Sequence, residues 1–267
     1  MSDTPPPPPP GGGTPPPGPG GAPAPSADFS VSAAFNYGWT KFQKNAGPWI
    51  VGCLIVIGVY ILIYIIGALL LIPTFSTSTT TVETANGALE VTSTDGGIGT
   101  AIVLVIGYVI YGIVGWIVAA QFFRAALGIT DQGKIEIGTF FKTEALGTVI
   151  VASLILAATY FVLGIIGLIP LIGWLIAFIG TLVIAFFVRF YIFFALQNQG
   201  SAVDAIRASV AFVNENLANI VVLFLASLLA LFIGALLCGI GLLVAIPVVA
   251  TAHAYTFRTL RGEPVVA

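Results

Sequence analysis

The stretch PWIVGCLIVIGVYILIYIIGALLLI, Pro48 to Ile72, contains no charged side chain and is closed by Pro73. About 20 apolar residues in a row let a helix cross the hydrocarbon core of a bilayer. The run is continuous rather than alternating, and in lipid a helix satisfies all its own backbone hydrogen bonds. It therefore reads as a membrane-spanning helix. Five further runs repeat the pattern: Ile98–Phe123, Leu146–Ile169, Leu171–Leu196, Leu217–Leu237 and Gly241–Phe257. Between the third and fourth, Gly164 to Gly173 carries no charge and reads as a tight turn, because one helix over 146–196 would measure about 75 Å, far more than a bilayer. Cys238-Gly239-Ile240-Gly241 reads as a similar turn. The fold expected is an all-α polytopic membrane protein, residues 28–263, of six transmembrane helices in three hairpins with cytoplasmic amphipathic helices, and a short tail at 264–267.

Composition agrees. Of 267 residues, 58% are hydrophobic and 7% charged, with a mean hydropathy of +1.06; soluble domains carry about 25% charged residues. Two cysteines without a CxxC and a single histidine exclude a disulfide framework and a His-rich metal site. There is no basic patch for nucleic acid. The chain has no Walker loop, HExxH motif or nucleophile–base pair, so neither an enzyme activity nor a cofactor is expected. The first residues lack a charged segment followed by an apolar one, so no cleaved signal peptide is expected and the first span is retained.

The charges fix the orientation. All nine Lys and Arg fall on one side of the six-run pattern: Lys41 and Lys44 before the first, Arg124, Lys134 and Lys142 between the second and third, Arg189 and Arg207 at or after the end of the fourth, Arg258 and Arg261 after the sixth. By the positive-inside rule both termini are cytoplasmic. The long outer loop, 73–97, is rich in Ser and Thr and holds only acids: Glu83, Glu90 and Asp95. Asn86-Gly87 is a hairpin-turn signal flanked by strand-forming residues. A two-residue turn there sets Glu83 opposite Glu90, a repulsive pair that a cation would relieve.

Each span pair is preceded by a short amphipathic segment: Ser30 through Asn45, Glu136 to Phe141, and Ser201 through Asn216. Ser30 and Ser201 are plausible N-caps. These segments are expected to lie in the inner interface with apolar side down, or to pack on each other as caps. The pairs also end alike, in Phe123-Arg124, Val188-Arg189 and Phe257-Arg258, which points to a parallel threefold repeat. Residues 1–27, almost all Pro, Gly, Ala and Ser, read as a disordered tail of polyproline-II character, with PxxP surfaces for cytoplasmic protein partners.

Candidate functional residues are few. Arg124, Arg189 and Arg258 sit near the inner ends of spans, where ionisable groups are costly and often functional. Converging at one level they would bind a lipid phosphate or an anionic solute; singly they would snorkel to the interface and set topology. His253 lies near the inner end of the last span, able to relay a proton or to bond a neighbouring helix. Two activities are open: organising or recruiting partners at the membrane, and transport or lipid handling through the inner-face arginines.

The Pro/Gly tail PPPPPPGGGTPPPGPGG before such a bundle resembles that of the proline- and glycine-rich transmembrane proteins of actinobacteria. The stretch Gly200 to Asn216, followed by the last two spans and Arg261-Gly262-Glu263, is similar to the end of a wider group that includes the membrane domain attached to some glycerophosphodiester phosphodiesterases. The phosphodiesterase domain is not part of the resemblance. What is implied is fold and membrane location, with no reaction.

Overall fold

The computed structural model describes residues 29–84, 87–197, 200–237 and 239–267. The tail 1–27, Ala85, Asn86 and Cys238 lie outside them. The described residues form α1 (Val31–Lys44), α2 (Ala46–Leu71), β1 (Phe75–Thr84), β2 (Gly87–Gly96), α3 (Ile98–Gln132), a 3-10 segment (Ile137–Phe141), α4 (Leu146–Ile166), α5 (Ile172–Phe187), α6 (Tyr191–Leu196), α7 (Ala202–Glu215), α8 (Leu217–Leu236) and α9 (Leu242–Leu260). Among them α2, α3, α4, α8 and α9 are long and apolar enough to cross a membrane. This is a multi-pass helical membrane protein.

The fourth expected span departs from expectation. It is not one helix over 171–196 but α5, of 16 residues, and the single turn and a half of α6. The helix breaks at Val188-Arg189-Phe190, where Val188 (φ −91°, ψ 6°) and Phe190 (φ −99°, ψ 2°) leave helical geometry. A break inside an apolar bundle strands backbone groups unless something replaces the lost helical bonds. Here Ser209 of α7 replaces them: its hydroxyl accepts from the Phe190 N–H at 3.0 Å and donates to the Phe187 carbonyl at 2.9 Å.

α1 and α7 are built alike. Each has 14 residues. The Ser30 hydroxyl accepts from the Ala33 N–H at 3.1 Å, and Ser201 forms a reciprocal capping box with Asp204. Each ends on an asparagine in the same conformation, Asn45 (φ −122°, ψ 21°) and Asn216 (φ −121°, ψ 28°), from which the next long helix starts at once. Both asparagines donate from Nδ2 to the carbonyl four residues back. The buried residues coincide as well: Ala34, Gly38, Lys41 and Phe42 correspond to Ala205, Ser209, Phe212 and Val213. The middle segment forms only the 3-10 turn. It packs on α3 and sets Phe140 against both Trp49 and Phe122, at 5.8 and 5.7 Å, closing a triangle with those two rings, which are 5.5 Å apart.

These caps pack on other helices of the bundle and not on each other. α1 lies on α9, and so closely that a Cβ at Gly38 would stand 2.6 Å from the Val248 carbonyl oxygen. α7 lies on α6, touching α4 and α5.

The loop after α2 is a two-stranded antiparallel hairpin, an element the all-α class leaves out but the turn signal anticipates. Its register differs from the expected one. Thr84 faces Gly87, so Glu83 faces Ala88 and Glu90 faces Thr81. The two carboxylates become diagonal neighbours instead of a direct pair, which removes the expected repulsion and the reason for a bound cation. Ser78 and Ser93 hydroxyls bond across the ladder at 2.9 Å.

The core sits at one end. Trp49, Phe190, Phe193 and Phe257 are fully buried there. Towards the other end the helices splay: Tyr64, Tyr108 and Leu171 are 78%, 81% and 85% exposed. So much apolar surface is compatible only with lipid around it.

Candidate functional site

The break between α5 and α6 points the Arg189 side chain into the bundle. One of its terminal nitrogens lies 2.8 Å from Nε2 of His253 on α9. Nδ1 of that ring lies 2.7 Å from the Val249 carbonyl. A carbonyl can only accept and a guanidinium can only donate. The imidazole is thus the neutral Nδ1–H tautomer, with its Nε2 lone pair turned to Arg189. The guanidinium also stacks over the Phe224 ring, 4.3 Å from its centroid, a cation–π contact. Its Nε, buried, has no hydrogen-bond partner. Among the described residues no carboxylate pairs with it.

Arg189 and His253 line a cavity of about 630 Å3 whose other walls are apolar residues of α2, α3, α5, α8 and α9, Val56, Phe122 and Ile246 among them. The two polar residues mark one end. Gly239 and Leu242 mark the other, since Leu242 begins α9 and His253 lies about three turns further along it. A second cavity, about 1050 Å3, opens between α3, α4, α5 and α6. It too is lined by Arg189, and its Ser153 and Tyr191 hydroxyls are bonded to each other at 2.8 Å.

Arg124 and Arg258 stand elsewhere. They share a polar cavity of about 490 Å3 with Asp131, Lys134, Lys142 and Glu144. Arg124 pairs with Glu144 at 3.8 Å and donates to its backbone carbonyl. Arg258 pairs with Asp131 at 2.8 Å and with Glu263. Both are thus engaged by carboxylates. The expected single level of three arginines is two levels. The reason is visible in the aromatic packing, where Phe123 meets Phe193 at 4.8 Å and Phe193 meets Phe257 at 5.1 Å. Phe193 therefore takes the place in the middle unit that Phe123 and Phe257 hold in the outer ones. Phe194 stands where they have arginine, and Arg189 lies a turn deeper.

Three residues without a role in the sequence reading hold this arrangement. Ser209 secures the break, Phe224 faces the guanidinium, and Asn45 ties α1 to the loop after α3 by donating to the Gly133 carbonyl at 3.2 Å and accepting from the Ile135 N–H at 3.1 Å. Ser209 had one signal in the sequence: a hydroxyl on the apolar stripe of an amphipathic helix, where only a buried partner makes it tolerable.

Two mycobacterial proteins are similar along most of the chain. Uncharacterized protein Rv2560 of Mycobacterium tuberculosis is 34% identical over 244 residues, which is 90% of this chain and 71% of the relative. Uncharacterized protein Mb2590 of Mycobacterium bovis is 34% identical over the same extent. No protein-family profile matches the chain, and no solved structure matches it. With this identity over nine-tenths of its length, the chain belongs to the family of Rv2560 and Mb2590.

Proposed function

We propose that this is a non-enzymatic plasma-membrane protein that crosses the bilayer six times, as three hairpins with both ends in the cytoplasm, and that holds an anionic amphiphile between its helices. The sixth crossing is α5 extended by α6. Orientation rests on charge: Lys41, Arg124, Arg258 and Arg261 gather at the packed end of the bundle, and the hairpin projects from the other. The lipid-handling reading is carried by one observation, the Arg189 guanidinium at the end of an apolar cavity with no carboxylate to neutralise it. A half-buried charge facing apolar walls is stabilised by a counter-charge, and an amphiphile headgroup supplies it while its chain fills the apolar space.

Native mass spectrometry of protein purified from its own membranes tests this. The wild type is expected to retain an acidic lipid that Arg189→Met loses. Equal lipid on both would refute the reading. Orientation is tested with an impermeant thiol reagent in a background lacking Cys53 and Cys238. Ser93→Cys is expected to react on intact cells and Lys134→Cys only after lysis; the reverse pattern would overturn the topology.

A second reading, recruitment of cytoplasmic partners, rests on the run Pro5–Pro10 and the PxxP spacing Pro16–Pro19 that follows it. The likeness to proline- and glycine-rich actinobacterial membrane proteins belongs with it. Deleting residues 1–27 should abolish partner capture and leave lipid retention intact. Capture that survives the deletion would end that reading.

A further inference from the structure

The two apolar cavities are not independent. Gly115 and Phe123 of α3, Ala185 of α5, and Arg189 line both of them. The seam between the cavities is therefore formed by two small residues, one phenylalanine and one guanidinium. Among the described residues Arg189 is the sole charged side chain lining either cavity. In the second cavity the Ser153 and Tyr191 hydroxyls are bonded to each other, and the other polar groups on its wall are neutral, so the guanidinium is the one charged donor there.

We propose that the pair of cavities holds one acidic two-chain lipid, its phosphate on Arg189 and one acyl chain in each cavity. This rests on the amphiphile reading above and goes further by fixing the number of chains and the class of headgroup. The dimensions agree. The first cavity follows α9 from Leu242 to His253, roughly 16 Å of helix. The second follows α3 from Tyr108 to Phe123, roughly 22 Å. Both lengths suit an acyl chain running from one headgroup near the packed end of the bundle towards its splayed end. Volumes of about 630 and 1050 Å3 each lie at the size of a site for one small molecule, and a single-chain occupant would leave one of them empty. Chains enter sideways, because residues at the cavity mouths, such as Ile57, Tyr108 and Phe161, face the surrounding lipid. The phosphate receives the guanidinium donors that His253 does not take, in charge-assisted hydrogen bonds. His253, its Nδ1–H committed to the Val249 carbonyl, fixes the guanidinium rather than meeting the phosphate.

The test is native mass spectrometry of the delipidated full chain in detergent, titrated separately with phosphatidylglycerol, phosphatidylcholine, lysophosphatidylglycerol and inorganic phosphate. Phosphatidylglycerol is expected to bind one to one. The zwitterionic and the single-chain lipid should each bind about tenfold more weakly or worse, and inorganic phosphate at millimolar concentration should not displace the lipid. Ala185→Phe fills the seam, so it should weaken phosphatidylglycerol about tenfold and leave lysophosphatidylglycerol unchanged. Ala185→Leu is the milder version should the larger side chain disturb folding. If lysophosphatidylglycerol binds as tightly as phosphatidylglycerol, or if both seam variants treat the two alike, the two-chain assignment is wrong while the amphiphile reading survives. If Arg189→Met retains wild-type affinity for phosphatidylglycerol, or if phosphatidylcholine binds equally well, both fail together.

Discussion

Ser209→Ala is the most informative single change to the bundle. In an unbroken helix the Phe190 N–H would donate to Phe186 and the Phe187 carbonyl would accept from Tyr191. At the break the Tyr191 N–H goes to the Val188 carbonyl at 3.0 Å, and both displaced backbone groups turn to the Ser209 hydroxyl. Ser209 is fully buried, so water cannot take its place. An unpaired buried polar group costs about 1–3 kcal/mol, and two of them about 2–6 kcal/mol. Ser227→Ala is the matched control. It is as buried, but its hydroxyl donates at 2.6 Å to the Leu223 carbonyl, which already accepts a bond within α8. Its removal strands nothing and should cost less than about 1 kcal/mol. Reversible unfolding in mixed detergent and dodecyl sulfate micelles measures both. If the two alanine variants agree within about 0.5 kcal/mol, Ser209 is not what holds the break.

Three further outcomes are expected. Gly38→Ala places a methyl group against the backbone of α9, 2.6 Å from the Val248 oxygen, and should destabilise by about 1–3 kcal/mol in the same assay, whereas Gly58→Ala, with nothing within 4 Å, should shift stability by less than about 1 kcal/mol. The Asp204 carboxyl is held below the usual carboxylate range, first by the Ser201 hydroxyl and then by the Ser201 N–H. Its folded value lies below its unfolded one, so its contribution to the start of α7 is present at neutral pH and is lost as pH falls through the folded value; amide exchange at 202–205, corrected for intrinsic rates, should rise in acid, and Asp204→Asn should already exchange fast at neutral pH with no such rise. Arg258→Ala removes the partner of Asp131 and Glu263 and should release the segment after Glu263, where the Val266 N–H bonds the Thr130 carbonyl at 2.9 Å, read as accelerated amide exchange at 264–267 and unchanged exchange in α8.

What could be read in advance follows from which features are local. Uninterrupted apolar runs show where long helices lie. Ser30 and Ser201 announce helix starts, because a cap bonds residues two or three positions away. The strand propensity of 80–93 announces a hairpin. The break at Arg189 was hidden because its compensation is tertiary: the residues around it, Phe186 to Leu196, are apolar apart from that arginine, and Ser209 is distant in sequence. The hairpin register was misjudged by taking Asn86-Gly87 as the turn centre, when Gly87 already pairs with Thr84 at a φ of 125° that suits glycine. The three arginines looked level because Phe-Arg and Val-Arg dipeptides align by eye. Only the packing of Phe123, Phe193 and Phe257 displays the offset. The partnership of Arg189 with His253 spans 64 residues and leaves no mark on either one's neighbours.

The docking of α1 onto α9 has a consequence for biogenesis. Among the described helices, the first made has the last made as its seat. A ribosome adding roughly 5–20 residues per second needs on the order of 10–40 s to travel from Lys44 to the end of α9. Throughout that interval the face of α1 around Gly38 lacks α9 and rests on headgroups or on a chaperone. Chains stopped short of α9 would carry an undocked leading helix, a mark by which a membrane protease could tell unfinished copies from complete ones.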